Sequence, residues 1–97
     1  MNDLVPSEFR LSQNYPNPFT KKTTIKYCVP YKTKVRIIIY DSEGEMIEKL
    51  VDEKQEAGTY EVEFYRVSGI RHLLSGTYFC QMKAGDYLSE KKMMLAE

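Results

Sequence analysis

The sequence predicts an all-β fold built as an antiparallel β-sandwich. Short apolar runs rich in β-branched and aromatic residues alternate with turns that carry Gly, Pro, Asp or Ser. No stretch keeps a helical period for longer than one turn. At 97 residues, of which 42% are hydrophobic, the chain is long enough to bury one core without a metal or a disulfide.

The densest apolar run, Val35–Tyr40, is predicted to be the central strand. Five of its six residues are β-branched or aromatic, and these types fit a half-buried pleat better than a helix. The two-residue period places three of them on the buried face: Val35, Ile37 and Ile39. Asp41–Gly44 then ends the strand, and Met46–Val51 is predicted to return as its hairpin partner. Charged residues crowd Glu48–Glu56, so this return strand and the connection after it are predicted to face water.

Four more strands follow from the same alternation. They are Thr23–Val29, Thr59–Tyr65, Ser75–Lys83 and Tyr87–Leu95, of which the last two form a hairpin. Residues Arg66–Leu74 lack a period and are predicted to be a loop. These runs predict an antiparallel immunoglobulin-like β-sandwich of about seven strands. The predicted core cluster is Val35, Ile37, Ile39, Tyr60, Val62, Tyr78 and Met82.

The first residues have a different character from the rest of the chain. Residues 1–10 are mixed and aperiodic and are predicted to be the end of a linker, so that the domain spans residues 11–97. Two prolines hold Asn14–Phe19 in an extended conformation. We expect this segment to be ordered against a sheet end, with Tyr15 or Phe19 docked on apolar side chains.

Charge and hydropathy argue against several partners. Lys plus Arg and Asp plus Glu both number 14, so the chain has no basic surplus to neutralise phosphates. Nucleic acid is therefore not an expected partner. No run approaches the roughly 20 apolar residues that a membrane span needs, and no transmembrane segment is predicted. The amino terminus lacks the charged and then apolar layout of a secretory signal.

Residues suited to catalysis are scarce. His72 is the one histidine, and neither a zinc site nor a Ser-His-Asp arrangement can be assembled around it. We interpret His72 as a surface loop residue. Cys28 and Cys80 point to opposite faces by alternation, so they are predicted to be free thiols. The chain is predicted not to be an enzyme and to hold no metal or cofactor.

The eight tyrosines allow two interpretations. They could form a flat aromatic platform for sugars, or they could fill a core that lacks Trp. The second is favoured because four of them, by alternation, fall at inward positions: Tyr15, Tyr27, Tyr60 and Tyr78. The candidates for solvent exposure are Tyr31, Tyr65 and Tyr87.

Several strings, taken in order and near a known family's spacing, carry a resemblance. The first is Asn14, Tyr15, Pro16, Asn17, Pro18 and Phe19, which Phe9–Gln13 precedes and Thr23–Pro30 follows. The later strings are Val35–Gly44, Ala57–Val62, Leu74–Phe79, Ala84–Gly85 and Lys91–Met93. Together they resemble the type A carboxy-terminal sorting domain of the type IX (Por) secretion system. The immunoglobulin-like domain of flagellar hook-capping proteins is similar in the middle and end of the pattern.

The resemblance implies a non-catalytic secretion signal that directs an upstream cargo domain of the same chain across the outer membrane. Its implied partners are the type IX translocon of the outer membrane and a sortase-like peptidase that removes the signal. The implied location is secreted or at the cell surface, reached through the periplasm. The positions expected to contact a partner are Gly76, Tyr78, Gly85, Lys91 and Lys92. Asn14–Phe19 is the motif expected at the domain boundary.

The chain also departs from this family, and other functions stay open. The family usually has Trp-Asp/Asn-Gly and a polar turn where this chain has Phe64–Ser68. Phe can supply packing area, but it lacks the indole donor. Lys91 and Lys92 are alternatively an ordinary solvated strand end. The alternative functions are a scaffold like the hook-capping domain and a carbohydrate-binding accessory module of a secreted enzyme.

Overall fold

The computed structural model describes residues 5–97, and these residues form nine β-strands and no helix. In chain order the strands are β1 (Arg10–Leu11), β2 (Lys22–Val29), β3 (Thr33–Asp41), β4 (Met46–Gln55), β5 (Gly58–Tyr65), β6 (Val67–Ser68), β7 (Arg71–His72), β8 (Gly76–Ala84) and β9 (Tyr87–Leu95). The predicted linker end falls partly on residues 1–4, which lie outside the described residues.

The strands form two antiparallel sheets that pack as a sandwich. One sheet has three strands in the order β1-β2-β5, and the other has four in the order β4-β3-β8-β9. The short strands β6 and β7 pair with each other as a separate ribbon. Each large sheet buries one face against the other, which is how an immunoglobulin-like domain encloses a single core. The predicted all-β antiparallel sandwich is confirmed.

The strand predicted to be central lies in the interior of its sheet, because β3 pairs with β4 on one side and with β8 on the other. Val35, Ile37 and Ile39 are fully buried between the sheets. Ile38 is also buried, but it lies outside the core cluster, on the outer face of the sheet. The buried face is therefore the one that the two-residue period predicts.

One hydrophobic core fills the space between the sheets. Its largest fully buried side chains are Tyr27, Phe19, Phe64, Ile25, Ile37, Ile39, Met82 and Met93. Tyr78 belongs to this cluster, whereas Tyr60 and Val62 are partly buried and pack against it. Both lie on β5, which is an edge strand, so a neighbouring strand covers them on one side only. The predicted cluster is confirmed, with Tyr60 and Val62 at its margin.

Two segments that the sequence predicts to be connections contain β-strand residues in the structure. The predicted return strand ends at Val51, but β4 continues to Gln55, and Asp52 and Glu53 still pair with β3. A charged edge strand keeps its ladder because its side chains reach water. The predicted loop Arg66–Leu74 contains the β6–β7 ribbon, which is too short to produce a recognisable period.

The tyrosines divide between core and surface, with one error in the prediction. Tyr27 and Tyr78 are buried as predicted, but Tyr15 is 80% exposed. The backbone of Tyr15 bridges to Thr24, and the neighbouring Phe19 takes the buried position instead. Tyr31 and Tyr65 are exposed as predicted, and Tyr87 is half-buried with its ring stacked on Phe9 at 5.2 Å between centroids.

Both cysteines are free thiols, as predicted. Cys80 is buried on β8, and burial raises the pKa of its thiol to about 12. Cys28 is partly exposed on β2, with its sulfur 3.8 Å from the Thr59 hydroxyl. The two thiols therefore differ in their access to water and reagents.

We expect Ile37→Ala to lower the free energy of unfolding by about 2–5 kcal/mol, because it leaves a cavity in the centre of the core. Urea denaturation measures this loss. Leu88→Ala is the control, since Leu88 is 63% exposed and its truncation should cost less than about 0.5 kcal/mol. Equal losses in the two variants would contradict the assignment of the buried face.

We expect iodoacetamide at pH 8 to modify Cys28 and to spare Cys80 in the folded protein, because the thiolate is the reactive form and the raised pKa of Cys80 suppresses it. The variant Cys28→Ser isolates the second thiol. Mass spectrometry should find this variant unmodified when folded and fully modified in urea. Modification of the folded variant at the rate of an exposed thiol would contradict the burial of Cys80.

Candidate recognition site at the amino-terminal motif and the carboxy-terminal strand

The predicted boundary motif lies directly against the last strand of the chain. Phe19 N–H donates to the Met94 carbonyl at 3.0 Å, and Ala96 N–H donates to the Phe19 carbonyl at 2.8 Å. These two bonds form a parallel bridge between Phe19 and Leu95. The motif therefore covers the outer edge of β9, which would otherwise be the exposed edge of the four-stranded sheet.

Two polar side chains of the same segment extend this contact. The Asn17 side-chain oxygen accepts from Met94 N–H at 2.9 Å. The Gln13 amide nitrogen donates to the Lys92 carbonyl at 2.7 Å. Residues 13–19 thus satisfy backbone groups along the last part of β9, where a strand edge needs partners.

Two residues hold the motif in place. Asn14 does so through side-chain hydrogen bonds, and Phe19 does so through its ring, which is buried in the core. Asn14 is 3% exposed, and its amide nitrogen donates to the Pro16 carbonyl at 3.1 Å and to the Thr23 hydroxyl at 3.0 Å. The Phe19 ring is buried, with its centroid 6.1 Å from that of Phe64 in an edge-to-face arrangement. The predicted docking of this segment is confirmed for Phe19.

Arg66 joins the end of β9 to the ribbon and to the segment after the motif. Its Nη1 donates to the Ala96 carbonyl at 2.8 Å and to the Thr20 carbonyl at 3.4 Å, and its Nε donates to the Leu73 carbonyl at 3.1 Å. The aperiodic sequence around Arg66 predicts a loop and indicates no role for this side chain. No local pattern signals it, because all three acceptors are backbone carbonyls, and two of them, those of Thr20 and Ala96, lie far away in the chain.

Arg71 and Phe64 pack together where the chain departs from the family pattern. The Arg71 guanidinium lies 5.3 Å from the Phe64 ring centroid, which is a cation–π contact. Arg71 also donates to Glu48 and to the Tyr65 carbonyl, both at 2.7 Å. Its Nε is buried without a hydrogen-bond partner among the described residues. Phe64 is therefore enclosed by Phe19 on one side and Arg71 on the other, and it packs fully without an indole.

The residues predicted to contact a partner do not form one cluster. Lys91 is half-buried and faces inward with Met93 and Leu95, whereas Lys92 is exposed on the outer face. Gly76 pairs with Leu95 at one end of the β8–β9 hairpin, and Gly85, with φ of 59°, lies in the turn at the other end.

Tyr78 presents little surface to a partner. Its ring is buried, its hydroxyl donates to the Leu74 carbonyl at 2.6 Å, and burial raises the pKa of that hydroxyl. Among the predicted residues, Lys92 is thus the side chain with most access to solvent on β9.

His72 is exposed on β7. Within residues 5–97, no group of three potential metal ligands occurs, and no helix is long and apolar enough to span a membrane.

Comparison with known proteins gives one family and a fold likeness. A family model described as "Secretion system C-terminal sorting domain" matches residues 13–96. No curated protein matches. Among solved structures, the chain is similar to Pseudomonas fluorescens alkylpurine DNA glycosylase AlkC bound to DNA containing an abasic site analog, with a TM-score of 0.55 and 14% identity. The match covers 93% of this chain and 31% of that chain, and at this identity it shows a shared fold alone.

We expect Asn17→Ala to speed hydrogen exchange at the Met94 amide and to lower the free energy of unfolding by about 0.5–1.5 kcal/mol, because that amide loses its acceptor. Exchange followed by NMR measures the first effect, and urea denaturation measures the second. Thr20→Ala is the control, since this exposed side chain lies one residue beyond Phe19. Unchanged exchange at Met94 would contradict the bond between motif and strand.

Proposed function

Since this chain belongs to the secretion-system C-terminal sorting domain family of the type IX system, we propose that it directs an upstream cargo domain of the same polypeptide across the outer membrane. The family consists of sorting signals rather than catalysts, and it implies a secreted or cell-surface protein. The observation that carries the proposal is the family match over residues 13–96, which includes both the boundary motif and β9.

The contact between these two segments supports recognition of a folded domain. The boundary motif is far from β9 in sequence, yet Asn17 and Phe19 are bonded to Met94 and Ala96. A receptor that reads the end of β9 therefore meets a surface that exists only when the beginning of the domain is docked. We infer that the type IX translocon distinguishes folded from unfolded tails in this way.

The proposed partners act on different parts of the chain. The translocon of the outer membrane recognises the folded sandwich, including the exposed Lys92 on β9. A sortase-like peptidase then separates the tail from its cargo. Phe9 stands near the junction and packs between Tyr31, at 5.4 Å, and Tyr87, at 5.2 Å between ring centroids. This contact holds Phe9 against the folded domain.

We expect Lys91→Glu combined with Lys92→Glu to hold a fused reporter in the periplasm of a host that carries the type IX system, while the unmodified tail delivers it outside. Fractionation and reporter activity measure the distribution. Stability should change by less than about 1 kcal/mol, since both residues lie at least partly at the surface.

The two lysines lie on opposite faces of β9, so each single substitution is tested as well. Lys21→Glu is the matched control, because Lys21 is an exposed lysine outside the four-stranded sheet. Failure of the unmodified tail to deliver the reporter would contradict the sorting function. Normal secretion of the double variant would remove only the two lysines from the proposed signal.

A further inference from the structure

The outer face of the four-stranded sheet carries an apolar strip that the core does not use. Ile38 is 8% exposed although it lies outside the core cluster, so outer-face neighbours cover it. Tyr40 and Phe79 are half-buried and lie opposite each other on β3 and β8. Met46, the β4 partner of Tyr40, is 57% exposed. A water-facing sheet surface ordinarily alternates to polar residues here, so this strip is unusual.

A shallow depression lies beside this strip. It measures about 290 Å³ and is lined by Tyr40, Asp41, Ser42, Gly44, Phe79, Gln81 and Glu90. Leu88 on the same face of β9 is 63% exposed, and Met94 is 38% exposed. The face therefore offers aromatic and aliphatic contact area together with a place for a side chain to enter.

Cations flank the strip and gather beyond its Ile38 end, and they exceed the carboxylates on the same face. The cations are Lys34, Arg36, Lys49, Lys54, Lys83 and Lys92, and the carboxylates are Asp52, Glu90 and, at the other end of the strip, Asp41. Asp52 is shared by Lys49 at 3.2 Å, Arg36 at 3.5 Å and Lys34 at 3.6 Å. Lys49, Lys34 and Arg36 together hold the pKa of Asp52 below its usual range.

The outer face of the other sheet is nearer to balance, with Arg10, Lys22 and Lys26 against Glu61 and Glu63. There Lys22 pairs with Glu63 at 3.3 Å, and Lys26 pairs with Glu61 at 3.5 Å. Lys83, by contrast, has no ion pair with any residue in the described range 5–97. A chain with equal numbers of acidic and basic residues has thus concentrated positive charge beside one apolar strip on an outer face.

We propose that this face docks a protein partner whose contact surface has an apolar centre and a carboxylate rim. The inference rests on the proposed function, in which that partner is a component of the type IX machinery. Interfaces of this kind combine aromatic contacts at the centre with complementary charge at the rim. A polyanion is less suited, because it offers no apolar surface to cover Tyr40, Phe79 and Met46. The apolar strip would hold the tail on its partner. Attraction between the cations of this face and the carboxylates of the partner would guide their association.

The test uses a reporter fused to the tail in a host with the type IX system. Lys83→Glu reverses one charge of the rim. Phe79→Thr removes the aromatic ring from the apolar centre and replaces it with a β-branched residue that is favourable in a strand. Lys26→Glu is the control, since it makes the same charge reversal on the outer face of the other sheet. Thermal unfolding of each purified variant identifies any loss of fold. Of the two test variants, one changes the charge of the face and the other changes its apolar surface.

We expect Lys83→Glu and Phe79→Thr each to reduce secretion about tenfold, the effect of losing about 1.4 kcal/mol of binding, while Lys26→Glu secretes normally. A photoreactive amino acid at position 79 should form an adduct with an outer-membrane component of the machinery through an Asp- or Glu-rich segment, and Lys83→Glu should reduce its yield. Unchanged secretion of both folded variants, with normal secretion of the unmodified tail, would overturn this inference alone.

Two other results would also decide the matter. If the unmodified tail failed to secrete the reporter, the proposed function would fall, and this inference with it. If the purified fusion bound vesicles of phosphatidylglycerol and phosphatidylcholine in a way that Lys83→Glu abolished, and no protein adduct formed, the face would be a membrane-binding surface instead, and the inference would be wrong.

Discussion

The backbone pairing of Phe19 with β9 is the interaction on which the rest of the structure depends. The Phe19 amide and carbonyl bond to Met94 and Ala96, while its ring is buried in the core against Phe64. One residue therefore protects the exposed edge of a sheet and fills the space between two sheets. An uncovered edge strand is a site of unintended pairing, so this contact also favours a discrete folded domain.

This closure explains why the boundary motif and the end of the chain work as one unit. Asn14 and Thr23 hold the motif in shape, and Arg66 binds the carbonyls of Thr20 and Ala96. Arg66 thus joins the residue after the motif to the residue after the last strand. Segments at both ends of the domain are therefore joined in the folded state.

The charged residues are unevenly distributed over the surface, although the chain contains equal numbers of acidic and basic residues. The outer face of the three-stranded sheet pairs its lysines with glutamates, whereas the four-stranded sheet gathers cations beside Ile38, Tyr40 and Phe79. Asp52 serves three of these cations, so their mutual repulsion is reduced without neutralising the face. Surface ion pairs add little to stability, so the contacts of Asp52 contribute little to holding the fold together.

The sequence by itself determined the class of fold, the six longer strands and the buried face of β3. Alternation is a local property, so Ile37 and Ile39 could be placed inside and Tyr87–Leu95 could be placed as a strand before any contact was known. The motif strings also identified the family. Local rules failed for Tyr15, where prolines rather than alternation set the backbone, and for β6 and β7, which are too short to show a period.

Only the tertiary structure decided which distant residues meet. Nothing near Asn17 in the chain indicates that its side chain accepts a hydrogen bond from Met94, and nothing near Arg66 indicates that it binds Ala96. The cationic face likewise arises because β4, β3, β8 and β9 are neighbours in that order. Sheet order and packing bring these groups together, and both depend on contacts between strands far apart in the chain, which a pattern read along one strand does not contain.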